Sequence, residues 1–213
     1  MHLHDGFYLR LGLGVTQASG SINTPSVTGG AGVQRITPVT PAARANGKIS
    51  GAGAAFDLAI GGTVYRGLAL AGYVSGRSLG DANVRFDTGS TAGRVFNKDV
   101  QLANVGVMGD WYIDPRKGLH VQGGVGIASV THAVASAFDG TVKKDDTARY
   151  TGLGLHLGVG YESFVSDDWS IGGLLRIDVA NNLKGETDGN DATPRDTSIN
   201  VFAPSLLFTG TYN

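Results

Sequence analysis

Apolar and polar residues alternate strictly along much of the chain. From Phe7, the residues Leu9, Leu11, Leu13 and Val15 are apolar, and Tyr8, Arg10, Gly12, Gly14 and Thr16 stand between them. A period of two marks a strand with one greasy face and one small or polar face. The pattern recurs over residues 54–65, 67–77, 102–113, 119–130, 151–163, 169–180 and 199–212. Together these segments predict eight strands of about ten to thirteen residues, close to the roughly 9–11 tilted residues of a membrane-crossing strand. No long segment holds the 3.6-residue period of an amphipathic helix. The connections alternate in length. Residues 61–67, 113–118 and 164–168 read as tight turns rich in Gly, Pro and Asp. Residues 17–50, 78–100, 131–149 and 181–197 read as long polar loops. Short turns at one rim and long loops at the other are the asymmetry of an outer-membrane barrel, and an even strand number puts both ends of the chain at the short-turn rim.

Aromatic residues gather at that rim. Phe7, Tyr8, Tyr65, Trp111, Tyr112, Tyr161, Phe164, Trp169, Phe208 and Tyr212 all fall at the short-turn ends of their strands. Of these, Phe7, Tyr65, Trp111, Tyr161, Phe164, Trp169, Phe208 and Tyr212 are expected to form a membrane-interface girdle.

Composition narrows the picture further. The 213 residues carry 17 basic and 18 acidic side chains, so there is no basic footprint for nucleic acid. There is no cysteine, which removes disulfides and thiolate metal sites. Glycine is abundant, at 34 residues, without a collagen period. No apolar run approaches the roughly 18 residues of a transmembrane helix. Residues 1–6 are too short and polar for a signal peptide.

These features resemble the small eight-stranded outer-membrane barrels, the OmpX, OmpW and OmpA-transmembrane type. The resemblance runs over nearly the whole chain and includes the C-terminal stretch in which Tyr212 is penultimate and Phe208, Leu206 and Phe202 keep its period. It implies an all-β, up-and-down transmembrane barrel, a single domain over residues 1–213, in the outer membrane of a Gram-negative bacterium. The resemblance further implies a monomer that contacts outer-membrane lipid and lipopolysaccharide, with a last strand read by the barrel-assembly machinery. No soluble domain is expected after the eighth strand. Pro204 cannot donate a ladder hydrogen bond, which predicts a bulge there.

The inward face carries Arg10, Asp57, Asp110, His120, His156, Glu162, Arg176 and Asp178. An eight-stranded barrel is just wide enough to be filled by side chains, so these residues are expected to form a packed polar core in which acids and bases pair. Inward glycines at positions 12, 14, 106, 124, 126, 154, 158 and 160 would make room for them. Counted from the aromatic rim, Arg10 lies level with Asp110 and Glu162, and Arg176 with Asp57 and Asp178, which predicts two stacked ion-pair layers.

Catalytic and ligand-binding patterns are weak. Lipid A deacylases of similar architecture use a His-x-Ser pair, and no histidine here has Ser two residues on. His132 stands near Ser129 and Ser136 without a placed acid. The acidic stretch 186–191 lacks the spacing of a calcium loop, and His2, His4 and Asp5 read as a loose terminus. No nucleotide loop occurs. Loop 17–50 carries only Arg35, Arg44 and Lys48 as charges, whereas loop 181–197 is net acidic; solvated loops are the expectation for both. No enzyme activity, metal or cofactor is expected. The leading function is display of surface loops for interaction or envelope integrity, with two alternatives: a narrow passive channel for small molecules, hydrophobic ones included, and a lipid-modifying enzyme.

Overall fold

The computed structural model describes residues 6–24, 45–87, 93–96, 99–134, 146–185 and 198–212. The strands are β1 (Phe7–Thr24), β2 (Ala45–Tyr65), β3 (Leu68–Asp87), β4 (Gly93–Phe96), β5 (Asp99–Tyr112), β6 (Leu119–Val134), β7 (Asp146–Phe164), β8 (Trp169–Gly185) and β9 (Ser198–Tyr212). All sequential pairings are antiparallel, and β1 pairs with both β2 and β9, so eight strands close into a barrel. The short β4 pairs with the upper part of β3, in line with β5. Closure gives each of the eight long strands a partner on both sides, as hydrocarbon requires of backbone polar groups.

The eight alternating segments are the eight long strands, but the strands run well past the greasy segments. β2 has 21 residues and β3 has 20. The expected loops 17–50, 78–100, 131–149 and 181–197 are therefore shortened at both ends, and Lys48 belongs to a strand rather than a loop. Arg35, Arg44 and the acidic residues 186–196 lie outside the described residues, as do His2, His4 and Asp5 and the side chain of His132.

Two zones stack along the barrel axis. In the lower zone, nearest the short turns, the outer wall is apolar: Leu13 is 65% exposed, Val107 63% and Leu157 71%. An apolar surface of this extent is untenable in water. In the upper zone, which we call the collar, the outward residues turn polar, as in Gln17, Ser19 and Ser21 of β1. The collar interior is instead apolar, with Ile22, Ile49, Leu79, Leu102, Val130, Leu183 and Ile199 packed in one buried cluster.

The turns at the lower rim are tight. Arg66 and Gly67 link β2 to β3. Gly67 has φ +76°, and a Cβ there would come within 2.7 Å of the Tyr112 carbonyl, so only glycine fits. β1 begins and β9 ends at this rim, where Leu9 pairs with Tyr212.

Pro204 causes no bulge. Thr16 pairs with Ser205 and Ser19 with Phe202 in one unbroken register, and only the bridges opposite Pro204 and Ala203 are missing. The Thr16 hydroxyl donates to the Pro204 carbonyl (3.0 Å) across the gap. The bulge falls in β8 instead, between Ala180 and Leu183. There Asn182 adopts φ 53° and its N–H donates to Asn200 Oδ1 (2.8 Å); Asn tolerates this left-handed geometry better than most residues.

Candidate functional site: an ion-paired plug across the lumen

Alternation places every second residue of the lower zone inside the barrel, shut off from bulk solvent. Charged groups there must find partners. Six of them form one continuous ladder. Asp110 Oδ2 accepts from Arg10 Nη1 (2.8 Å), and Arg10 Nη2 reaches Asp57 Oδ2 (2.9 Å). Asp57 Oδ1 accepts from Arg176 Nη1 (2.7 Å), and Arg176 Nη2 reaches Asp178 Oδ1 (2.7 Å). Asp178 Oδ2 then accepts from Arg77 Nη2 (2.6 Å). Three carboxylates thus alternate with three guanidiniums, all buried, and the set is neutral.

Hydroxyls and rings fasten the ladder to the wall. At its lower end, Asp110 accepts from the Tyr8 hydroxyl (2.6 Å) and bonds His120 Nδ1 (2.8 Å). At its upper end, Arg77 Nε donates to Ser205 Oγ (3.0 Å), and Arg77 Nη1 donates to the Phe56 and Gly76 carbonyls. Arg176 lies 5.3 Å from the Tyr73 ring centroid, a cation–π contact. Tyr73 also meets the His156 ring edge-on at 4.5 Å. The two histidines need bare backbone opposite them. A Cβ at Gly124 would lie 2.3 Å from His156 Cε1, and one at Gly160 would lie 2.0 Å from His120 Nε2. Beside Ser75, Arg77, Asn104 and Asp178 the remaining space is ≈ 10 Å3, about one water at most.

All eight expected lumen residues are buried inside the barrel, but their pairing differs from the two separate layers read from the sequence. Asp57 binds Arg10 and Arg176 together, so the layers are one ladder. Glu162 does not pair with Arg10. It accepts from four hydroxyls, those of Tyr112 (3.1 Å), Ser170, Thr209 and Thr211 (2.8 Å each). Strand tilt explains the error: residues counted equally from the rim on distant strands do not sit at equal height in a sheared barrel. Arg77 was absent from the expected network although it lies on the inward face of β3. Its position near the upper end of the alternating run was the available signal.

Of the rim aromatics, Phe7, Tyr65, Trp111, Tyr161, Trp169 and Phe208 are exposed on the outer wall, and Phe164 and Tyr212 are half-buried. Tyr212 packs between Phe7 and Trp169, with ring centroids at 6.2 and 5.4 Å. Tyr8 and Tyr112 turn inward, 0% and 1% exposed, and serve the lumen network instead.

His120 Nε2 has no hydrogen-bond partner among the described residues. The Asp110–His120 pair therefore activates no serine or threonine in this arrangement. Among the described residues, no three His, Cys, Asp or Glu side chains are grouped to hold a metal.

No protein-family model and no curated protein matches the sequence. Solved structures are similar to the chain. The outer-membrane protein OprG from Pseudomonas aeruginosa aligns with a TM-score of 0.58 at 12% identity, over 99% of this chain and 98% of that chain. The attachment invasion locus protein Ail of Yersinia pestis, solved with a heparin analogue, gives 0.46 at 9% identity, over 96% and 99%. The outer-membrane protease OmpT of Escherichia coli gives 0.44 at 10% identity, over 98% and 97%. The fold is that of the small eight-stranded bacterial outer-membrane barrels, and the apolar wall of the lower zone is the surface such a barrel turns to lipid.

Proposed function

We propose that this outer-membrane barrel is a non-enzymatic scaffold whose filled lumen stiffens the wall that presents the long connections at the cell surface, for interaction or envelope integrity. The observation that supports this reading is the continuous ladder from Asp110 to Arg77 across the lumen. A solute would have to break paired, desolvated charges to pass, at a cost of several kcal/mol per ion. The apolar packing of the collar interior, with Leu183 and Ile199 fully buried, adds a second obstacle. On this reading the protein works as a monomer, and its last strand, ending in Tyr212, engages the assembly machinery during insertion.

Planar-bilayer recording tests the scaffold against the channel alternative. The folded protein should show no stable unitary conductance. A reproducible conductance would replace the scaffold reading with that of a channel. Hydrolysis of lipid A acyl chains by the purified protein would instead establish the enzyme alternative.

A further inference from the structure

The ion-paired ladder leaves a second set of buried polar groups on β5, β6 and β7. Asn104 Oδ1, both ends of the Gln122 amide, His120 Nε2 and both ring nitrogens of His156 have no hydrogen-bond partner among the described residues. All four side chains belong to residues that are 6% exposed or less. Native interiors satisfy such atoms with protein groups or with ordered water. Asn104 borders a cavity. It lines the space of ≈ 10 Å3 at the upper end of the ladder, together with Ser75, Arg77 and Asp178. Leu102, Ala128 and Ala180 close the same space with apolar, buried walls.

The ladder has hydrogen-bonding capacity to spare at this point. Arg77 spends Nε on Ser205, Nη1 on the Phe56 and Gly76 carbonyls and one Nη2 hydrogen on Asp178. A guanidinium carries five N–H groups, so one Nη2 hydrogen remains. Asp178 Oδ1 accepts both bonds from Arg176, and Oδ2 accepts only the bond from Arg77, which leaves Oδ2 a lone pair. Ser75 Oγ accepts from Arg176 Nη2 (3.2 Å) and keeps its own hydrogen to give. The cavity is therefore bordered by two acceptors, Asn104 Oδ1 and Asp178 Oδ2, and two donors, Ser75 and Arg77.

We propose that this cavity is a binding site for one water molecule. The water donates to Asn104 Oδ1 and Asp178 Oδ2 and accepts from Ser75 and Arg77. The size admits one water and nothing larger. The charges exclude ions of that size: a cation would meet Arg77 and Arg176, and an anion would meet the Asp178 carboxylate and the Asn104 carbonyl. The water joins β5 to the rung that β3 and β8 supply, so the upper end of the ladder is braced on a further strand. The site rests on the filled lumen described above. A unitary conductance would defeat that reading, whereas an empty cavity inside a non-conducting barrel would defeat only the water site.

A crystal structure of the full chain, at a resolution that shows ordered water, tests this directly. One peak should stand within hydrogen-bond distance of Asn104, Asp178, Ser75 and Arg77; no peak there would overturn the proposal. Crystals soaked in rubidium bromide should show no anomalous signal in the cavity, and a signal would assign the site to an ion and overturn it as well. Asn104→Leu keeps the branched outline of the side chain and removes the acceptor, so the peak should be lost. A peak retained in that variant would show that the water does not serve Asn104. A resistant, compact band in unboiled gel electrophoresis verifies folding. Should Asn104→Leu fail to fold, Ala128→Ser adds a hydroxyl to the cavity wall and should displace the water; an undisturbed peak beside that hydroxyl would overturn the proposal.

Discussion

Below Val15, β1 presents leucines to the outside and Arg10 to the inside; above Gln17 the same strand presents serines outside and Ala18 and Ile22 inside. The other long strands make the same exchange. One backbone architecture therefore holds two opposite partitions, stacked end to end. In the lower zone the solvent is hydrocarbon, so apolar side chains face out and the charged ones are forced into mutual pairing in the lumen. In the collar the solvent is water, so the apolar side chains retreat inward, as in a soluble barrel. The difference shows that "inside" and "polar" are independent properties. What a face carries is set by the medium it meets at each height.

That contrast can be broken most severely from the lumen. Arg176→Ala removes the central rung and leaves Asp57 and Asp178 each short of a partner. Urea unfolding in lipid vesicles should show a loss of about 3–5 kcal/mol; unchanged stability would mean that water reaches these groups and that the plug is open. In the collar the corresponding injury is a cavity. Leu183 is 0% exposed, and Leu183→Ala should lose about 2–5 kcal/mol in the same assay. A negligible loss would show the collar interior to be loosely packed.

Outer-wall substitutions sharpen the boundary between the zones. Leu11→Arg faces hydrocarbon and should cost about 2–4 kcal/mol. Ser19→Arg, four outward-facing positions higher on the same strand, should change stability by about 0.5 kcal/mol or less. Similar losses at both positions would erase the proposed boundary between Val15 and Gln17.

The smallest effect belongs to the exposed β5–β6 turn. The Arg116 backbone N–H donates to Asp114 Oδ1 (3.1 Å) and holds that carboxyl below its ordinary range. Its depressed value means that the contribution is present above the unfolded carboxyl's titration and fades as pH falls through the folded value. An NMR titration of the Asp114 side chain should find its midpoint below that of an ordinary aspartate; a midpoint at or above the ordinary value would remove the turn interaction.

The lower zone was legible in the sequence because its alternation has high contrast. Leucine against glycine or arginine announces both the strand and the face, and all eight long strands were found this way. The collar was not legible, because its alternation runs between Ser or Asn and small apolar residues. The run Gln17-Ala18-Ser19-Gly20-Ser21 has the composition of a loop, and only its pairing with β2 and β9 makes it a strand. The members of the lumen network were readable from parity, but their partners were not. Pairing across a barrel depends on shear, which alternation along one strand does not encode. Tyr8 and Tyr112 show the same limit in miniature: their height near the rim was evident, and their inward direction followed from a parity that their aromatic character obscured.

The exchange of faces along β1 can be measured residue by residue, because the chain has no cysteine and a single introduced thiol can be labelled unambiguously. Nitroxide labels at positions 11, 13, 15, 17, 19 and 21, in the folded protein in lipid vesicles, report collision with oxygen, which favours lipid, and with a water-soluble nickel chelate. The first three positions should favour oxygen and the last three the chelate, with the reversal between Val15 and Gln17. Uniform access to the chelate at all six would contradict a membrane-spanning lower zone, and uniform preference for oxygen would contradict the water-exposed collar.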